Sequence, residues 1–500
     1  MKNFGFSRAL NGAAGSELKV AVGIFLVVQS LYLLSASAHL RGQDQEYFYR
    51  MARSLARERT FAIEPLVLGE AELAGVRGRD GRFYSRYAPG LPVALAPIVL
   101  LGDALTKLST ELHSKYEWPH QGDSDIAPRI LVSYFNLPVT AISASILALI
   151  VMRLGHSALS AIITGFGFAL TTFAWGQARL VFAEPLQALL LLVACALLLN
   201  ATPSRSLLGG CALGFAILVK MSSLLALPAF LLLPDERGRL LCRSRSVTAG
   251  ILVPVAAALA LYAWYNWFRF GSLTATGYAV SDESLDFTGN PLTALFGFLL
   301  SPGRGVFWYA PLTVVAVFAL RGFYSEQKIV ARAFLVLIGA WLVIHLFYKR
   351  WDGGWGWGPR YLLPILPFLL VPVPLLWRSA KWRSFCVVVL IVGAVIQLPG
   401  IFADFIVSGW EGLRVFQQHC SDCSEQSFVA WRNFTLSGSE IVRNSIVVIG
   451  GKVDLALVTF RGTRLPTATI TLAALCALTG FAFLAWPSSR ESKVASWNDR

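Results

Sequence analysis

The sequence predicts an all-α polytopic membrane protein with about 12 transmembrane helices and interfacial helices in its first outer loop. Two features of composition and one of patterning predict it. The 500 residues are 55% hydrophobic and only 14% charged, where a soluble domain carries about 25% charged residues. Apolar runs close to the ~20 residues that span a bilayer recur along the whole length. The net charge of +14 comes from Arg and Lys between those runs. In a membrane protein that sets topology and favours anionic lipid or phosphate, and it argues against a nucleic-acid partner.

The first run, 20–40, is too long for the core of a signal peptide and lacks a small-residue cleavage site, so it reads as an uncleaved anchor. Further spans are expected at 129–152, 157–175, 183–200, 247–268, 305–320, 330–348, 361–377, 384–403 and 466–486. Residues 91–107 are short and carry Pro92 and Pro97, so they read as a helix that does not cross. Residues 206–234 are too long for one straight span and split into two short helices, with Lys220 near the turn. With the N-terminus inside, the short basic loops "RLGH" (153–156), "DERGRLLCRSRS" (235–246), "RGFYSEQK" (321–328) and "WRSAKWR" (377–383) all fall in the cytoplasm, as the positive-inside rule requires. Five regions follow: an anchor span 1–40, an outer loop 41–128, a bundle 129–403, a small extracytoplasmic segment 404–465, and a last span with its cytoplasmic tail 466–500. The expected location is the inner (plasma) membrane, with any active site extracytoplasmic, because the inner loops are too short to build one.

Two carboxylates stand just past the first span, in "AHLRGQDQEYFYRMARSL". Acids at the edge of lipid are costly and call for a reason. Phe48, Met51, Ala52 and Leu55 recur at helical spacing, with Arg50, Arg53 and Arg57 opposite. This is the pattern of an amphipathic helix in the interface, its apolar side toward acyl chains. Asp44 and Glu46 would sit at its start, where the helix dipole favours an acid whether or not it has another role. The same loop continues "GRDGRFYSRYAPGLP" (78–92), placing Arg86 and Tyr87 at headgroup depth before an apolar helix. A guanidinium there suits a lipid phosphate, though a lone one also snorkels to bulk headgroups.

The acid after the first span, "YFYRMARSL" and "YSRYAPG" are followed in order by "QARLVFAEPLQALLLL", "LGFAILVKMSSLLALP", "TGYAV…LLSPGRGVFWYAPL" and "GGWGWGPRYLLPILP". This series resembles the GT-C glycosyltransferases, above all the polyprenyl-phosphate-sugar-dependent ones such as the aminoarabinose lipid A transferases and protein O-mannosyltransferases. The resemblance covers most of 20–380; it departs at Ala88, where such proteins often have a second Pro, and shows no recognisable sugar-binding domain at the C-terminal end. It implies a GT-C-like fold and an inverting sugar transfer from a polyprenyl-phosphate donor to a glycan, lipid or protein acceptor. It also implies Asp44 as catalytic base, with Glu46 sharing the role or orienting the acceptor.

A lipid-phosphate donor carries its own leaving group, so the protein must deprotonate an acceptor hydroxyl and neutralise a departing phosphate. Candidate phosphate ligands are Arg86, Tyr87, Arg304 and Arg360; for each, an interfacial anchor is the alternative. Candidate substrate contacts are Trp355, Trp357, Lys220 and Arg179. The tryptophans stand among glycines that let backbone approach a ligand, while Arg179 and Glu184 equally suit an ion pair closing a corner. No cofactor is expected, and a divalent ion on Asp44 and Glu46, as in oligosaccharyltransferases, stays open. So does a transporter or flippase of a lipid-linked sugar, although no internal repeat is evident. Residues 404–465, with Trp410 and Trp431, are expected to select the acceptor, and Cys420 and Cys423 suit a disulfide or free thiols better than zinc. "SDESLD" (281–286) reads as a solvated loop, and "DSD" (123–125) as a chance Asp-x-Asp with no nucleotide-binding domain around it.

Overall fold

The computed structural model describes residues 4–64, 66–68, 71–73, 75–105, 125–280 and 285–485. The tail 486–500, most of "SDESLD" and Asp123 of "DSD" lie outside the described residues. Helix follows helix along the chain. Among the described residues, strands are confined to two short antiparallel pairs, Leu66–Leu68 with Ala71–Leu73 and Val76–Arg77 with Phe83–Tyr84.

Among the described residues, 6 helices are long and apolar enough to cross a membrane: Gly15–Leu34, Ile126–Arg153, Arg245–Phe270, Lys328–Phe347, Ala380–Phe402 and Arg464–Ala485. The expected count of about 12 is not reached by that measure. Helix Ala158–Leu170 has 13 residues, about 20 Å of rise against a hydrocarbon core of ~30 Å. Elsewhere proline interrupts the run. Residues 305–320 break at Pro311 into Val306–Tyr309 and Leu312–Glu326. Residues 361–377 break into Arg360–Leu362, Leu366–Leu370 and Val373–Arg378.

The expected division of 206–234 is present. Helix Pro203–Val219 stops at Lys220, which is extended (φ −156°, ψ 123°), and short helical turns Met221–Leu225 and Ala226–Leu231 follow. Helix Pro203–Val219 packs against Ala183–Leu198 and Arg245–Phe270. At Gly210 a side chain would lie 2.6 Å from the Gly250 carbonyl oxygen. Such backbone-to-backbone contact is how helices associate where lipid removes the hydrophobic drive.

Helix α1 (Phe4–Leu34) lies along Asn136–Arg153 and Arg464–Ala485. Helix α2 (Gln43–Glu58) corrects the expectation of an apolar face turned to acyl chains. Its Phe48, Tyr49 and Ala52 are buried with Leu91, Leu95 and Val99 of helix α3 (Gly90–Leu105). Its Tyr47 and Met51 are buried with Ile63 and Tyr265. The arginine face is paired as well: Arg53 and Arg57 reach Asp125, and Arg57 reaches Asp103 at 2.5 Å. Protein, not lipid, covers both faces, because the charges opposite the apolar stripe find partners on neighbouring elements.

Three of the basic loops meet. Arg378 of "WRSAKWR" binds the His156 ring of "RLGH" at 2.7 Å and Glu326 of "RGFYSEQK" at 3.2 Å. The segment 404–465 folds as helices Phe405–His419, Glu425–Phe434, Glu440–Ile449 and Ala456–Thr459, with a disulfide joining Cys420 and Cys423 between the first two.

Candidate active site

Gly42 introduces α2 with φ 78°, a conformation that suits glycine, and no side chain caps the helix start. Asp44 is therefore not a cap. Its Oδ1 accepts a 2.5 Å hydrogen bond from the Tyr87 hydroxyl, with the Arg86 Nη2 at 3.7 Å. Its Oδ2 accepts from Nη1 and Nη2 of Arg360, each at 3.4 Å. Arg86 also donates to the Tyr87 oxygen at 3.2 Å. These four side chains line a cavity of about 2180 Å³. Burial, followed by the Asp44 charge, pushes the Tyr87 phenol well above its ordinary value, so it stays a donor.

Glu46 reaches the same wall with no free oxygen. Arg129 donates to Oε2 at 2.7 Å and to Oε1 at 2.9 Å, and Arg50 donates to Oε1 at 2.9 Å. Burial alone would raise this carboxyl, but Arg129 and then Arg50 hold it below the usual glutamate range. Glu46 thus fastens the start of α2 to helix Ile126–Ser133, while Gln45 accepts from the Val181 N–H at 3.2 Å. Alternation along the helix turns Asp44 the other way.

Lys220 lies in the cavity wall, bound to Glu184 Oε1 at 2.7 Å and 4.4 Å from the centre of the Tyr361 ring. The Arg360 guanidinium is 5.4 Å from that ring and 4.4 Å from the Phe182 ring. Trp355 lines the cavity edge-on to Trp410, ring centres 5.3 Å apart.

Three expected contacts lie elsewhere. Arg304 is buried behind the glycine loop: its Nη1 donates to the Gly356 and Gly358 carbonyls and its Nη2 to that of Gly354, with Glu440 at 2.6 Å. Arg179 does not pair with Glu184. It braces the exit of α1 through the Ser35 and Gly400 carbonyls and Asp454. Trp357 is buried, donating to Gln397 at 2.8 Å against the edge of Tyr309. Each points into protein, where carbonyls or an acid meet its donors.

Tyr278, packed edge-on to Tyr87 and 5.8 Å from the Arg86 guanidinium, is a cavity residue that the sequence offered only inside "TGYAV", without a role. Arg129 was expected only as the first residue of a span, but a charge at the edge of an apolar run calls for a partner. No local pattern gives Tyr278 a role of its own. Helix α3, expected from the sequence as the helix that does not cross, contributes no residue to the cavity. An apolar wall comes instead from Met221, Leu224, Leu225, Pro228, Tyr262 and Ile344. Phe405, Ile406, Trp410 and Leu413 form another wall.

No protein-family model matches the chain, and no curated protein does. Among solved structures, the chain is similar to ArnT from Cupriavidus metallidurans bound to undecaprenyl phosphate: 14% identity, 93% of this chain, 77% of that one, TM-score 0.48. The apo state of ArnT gives 16% identity, 94% of this chain, 78% of that one and a TM-score of 0.45. The archaeal oligosaccharyltransferase AglB from Archaeoglobus fulgidus, in complex with an inhibitory peptide and a dolichol phosphate, gives 10%, 85%, 60% and 0.45.

Proposed function

We propose that this chain is a GT-C glycosyltransferase that moves a sugar from a polyprenyl-phosphate donor to an acceptor hydroxyl on the extracytoplasmic face of the membrane. The observation that carries it is one carboxylate, Asp44, held between a phenol and two guanidiniums in the wall of a cavity with an apolar side. Asp44 accepts the acceptor's proton as its oxygen attacks the anomeric carbon. The bond from that carbon to the phosphate oxygen breaks, and its electron pair leaves with the phosphate. Attack opposite the leaving group inverts the anomeric centre.

Around Asp44, the cavity-lining Arg86, Arg360 and Lys220 stand against Asp44 and Glu184, a local surplus of one positive charge. That surplus suits the single charge of a phosphodiester donor. Its prenyl tail lies along Met221, Leu224, Leu225, Pro228, Tyr262 and Ile344, and Trp355 offers a flat face to a sugar ring. The basic loops at 153–156, 235–246, 321–328 and 377–383 supply no cavity residue, which supports the site facing away from the cytoplasm.

A divalent ion shared by Asp44 and Glu46 fits poorly. Both Glu46 oxygens are held by arginine, guanidiniums flank Asp44, and no cluster of three metal-ligating side chains occurs among the described residues. The proposed reaction therefore uses this chain's own acid and cations.

The test is transfer by purified protein with polyprenyl-phosphate sugars and candidate glycan, lipid and protein acceptors, with and without chelator. Asp44→Asn is expected to lower the rate by about 10²–10⁴-fold while polyprenyl-phosphate binding persists, and chelator is expected to change neither. Wild-type rates in Asp44→Asn overturn the assignment.

A further inference from the structure

Arg360 reaches Asp44 from the end of a loop that has little structure of its own. Across Lys349–Pro359 the backbone turns through four glycines with positive φ: Gly353 at 76°, Gly354 at 69°, Gly356 at 148° and Gly358 at 67°. Glycine loses the most conformational freedom on ordering, so such a loop holds one shape only if something outside it does the holding. Arg304 meets that need. It is 1% exposed, and its two terminal nitrogens collect the carbonyls of Gly354, Gly356 and Gly358. The Gly358 carbonyl also accepts the Arg360 N–H at 2.9 Å, so a single peptide oxygen joins the clamp to the residue that carries the cation.

A buried guanidinium requires an anion. Here it is Glu440, 2.6 Å from Arg304 Nη1, whose Oε2 also accepts the Gly358 N–H at 3.2 Å. Glu440 opens helix Glu440–Ile449, in the segment that follows the last expected bundle span. A parallel tie runs beside it: Arg432 of the same segment is ion-paired to Asp352 of the loop. The segment 404–465 thus does more than border the cavity. It supplies the charge that keeps the loop's clamp in place.

We infer that Glu440 is a positioning residue, which acts through Arg304 and the Gly354–Gly358 backbone to hold the Arg360 guanidinium on Asp44 and the donor phosphate. The catalytic part of this rests on the proposed function; the clamp itself does not. Misplacing a charged group by about 1 Å costs on the order of 10²-fold in rate, whereas a merely structural residue lowers stability and leaves turnover of the folded fraction intact.

The experiment compares wild type with Glu440→Gln, which is nearly isosteric, and with Glu440→Asp, in detergent or nanodiscs. Three readings are taken: amide exchange across 349–361, affinity for polyprenyl phosphate alone, and kcat and KM for transfer. In Glu440→Gln, exchange across 349–361 is expected to rise while the bundle helices stay protected. Polyprenyl-phosphate affinity is expected to fall at least fivefold and kcat about 10- to 100-fold, with acceptor KM unchanged; Glu440→Asp recovers part of each. Unchanged loop exchange in Glu440→Gln overturns the clamp. A loosened loop with wild-type phosphate affinity and kcat overturns the positioning role. If wild type transfers no sugar at all, the proposed function fails, and loop exchange with phosphate affinity still decides the clamp.

Discussion

The Tyr87 hydroxyl donates a 2.5 Å hydrogen bond to one oxygen of Asp44, while Arg360 faces the other at 3.4 Å. The carboxylate is thereby oriented from both sides, and its side chain, 26% exposed, lines the cavity. Because the phenol is pushed well above its ordinary value by burial and by Asp44, it remains a donor throughout the working pH range. Tyr87→Phe keeps the ring and loses the bond. A hydrogen bond to a charged group is worth about 1.5–3 kcal/mol, so kcat is expected to fall roughly 10- to 150-fold. Steady-state transfer kinetics check it; an unchanged kcat would show that orientation of Asp44 does not depend on this bond.

Arg360→Lys keeps the charge and loses the fork that spans Asp44 and a phosphate oxygen. Polyprenyl-phosphate affinity is expected to drop about tenfold or more, measured by titration in nanodiscs. Arg304→Lys is expected to raise exchange in the glycine loop, since a single nitrogen cannot span the carbonyls that Arg304 reaches from two separate ones.

Glu46 predicts a pH signature in stability, not in turnover. Its folded-state carboxyl is held below the ordinary value of 4.5 by Arg129 and Arg50, against the effect of burial. A depressed carboxyl contributes stability that is present above the unfolded-state value and lost as pH falls through the folded one. Glu46→Gln leaves Arg129 and Arg50 without their anion and is expected to cost about 3–5 kcal/mol at pH 7. The gap in melting temperature between wild type and variant should close as pH drops below 4.5. Thermal melts from pH 7 to pH 3.5 test this, and a gap independent of pH would rule it out.

The two tryptophans of the small segment separate on structure. Trp410 is 55% exposed, lines the cavity and meets Trp355 edge-on. Trp431 packs with Phe416 and Phe428 inside the segment. Trp410→Ala is expected to raise the acceptor KM about 2- to 10-fold, and Trp431→Ala to lower melting temperature with acceptor KM unchanged. Kinetics with a fixed donor distinguish them; equal effects on acceptor KM would refute the separation.

Residues in apolar surroundings were the most legible ones. Asp44 and Lys220 stand out because a charge at the edge or middle of an apolar run is costly enough to announce itself. The break at Lys220 followed from a run longer than a span, and the helical class from hydropathy alone. Arg304, Arg179 and Trp357 were assigned the wrong neighbours. Hydropathy measures position along the membrane normal and says nothing of the direction a side chain takes within that plane. The division of labour between Asp44 and Glu46 was hidden for the same reason: two positions apart on a helix, they face different elements, and Arg129 and Arg50 decided which acid became structural.

The sequence by itself determined that the chain is helical and membrane-embedded, which of its loops are basic and which acid follows the first apolar run, because these are read from local side chains and their transfer between water and hydrocarbon. Only the tertiary structure decided that Tyr87, Arg86 and Arg360 converge on Asp44, that Glu46 is neutralised, and that Glu440 anchors the glycine loop. Those are pairings between residues far apart in the chain, set by how buried charges find partners once the helices have packed, and no local pattern encodes them.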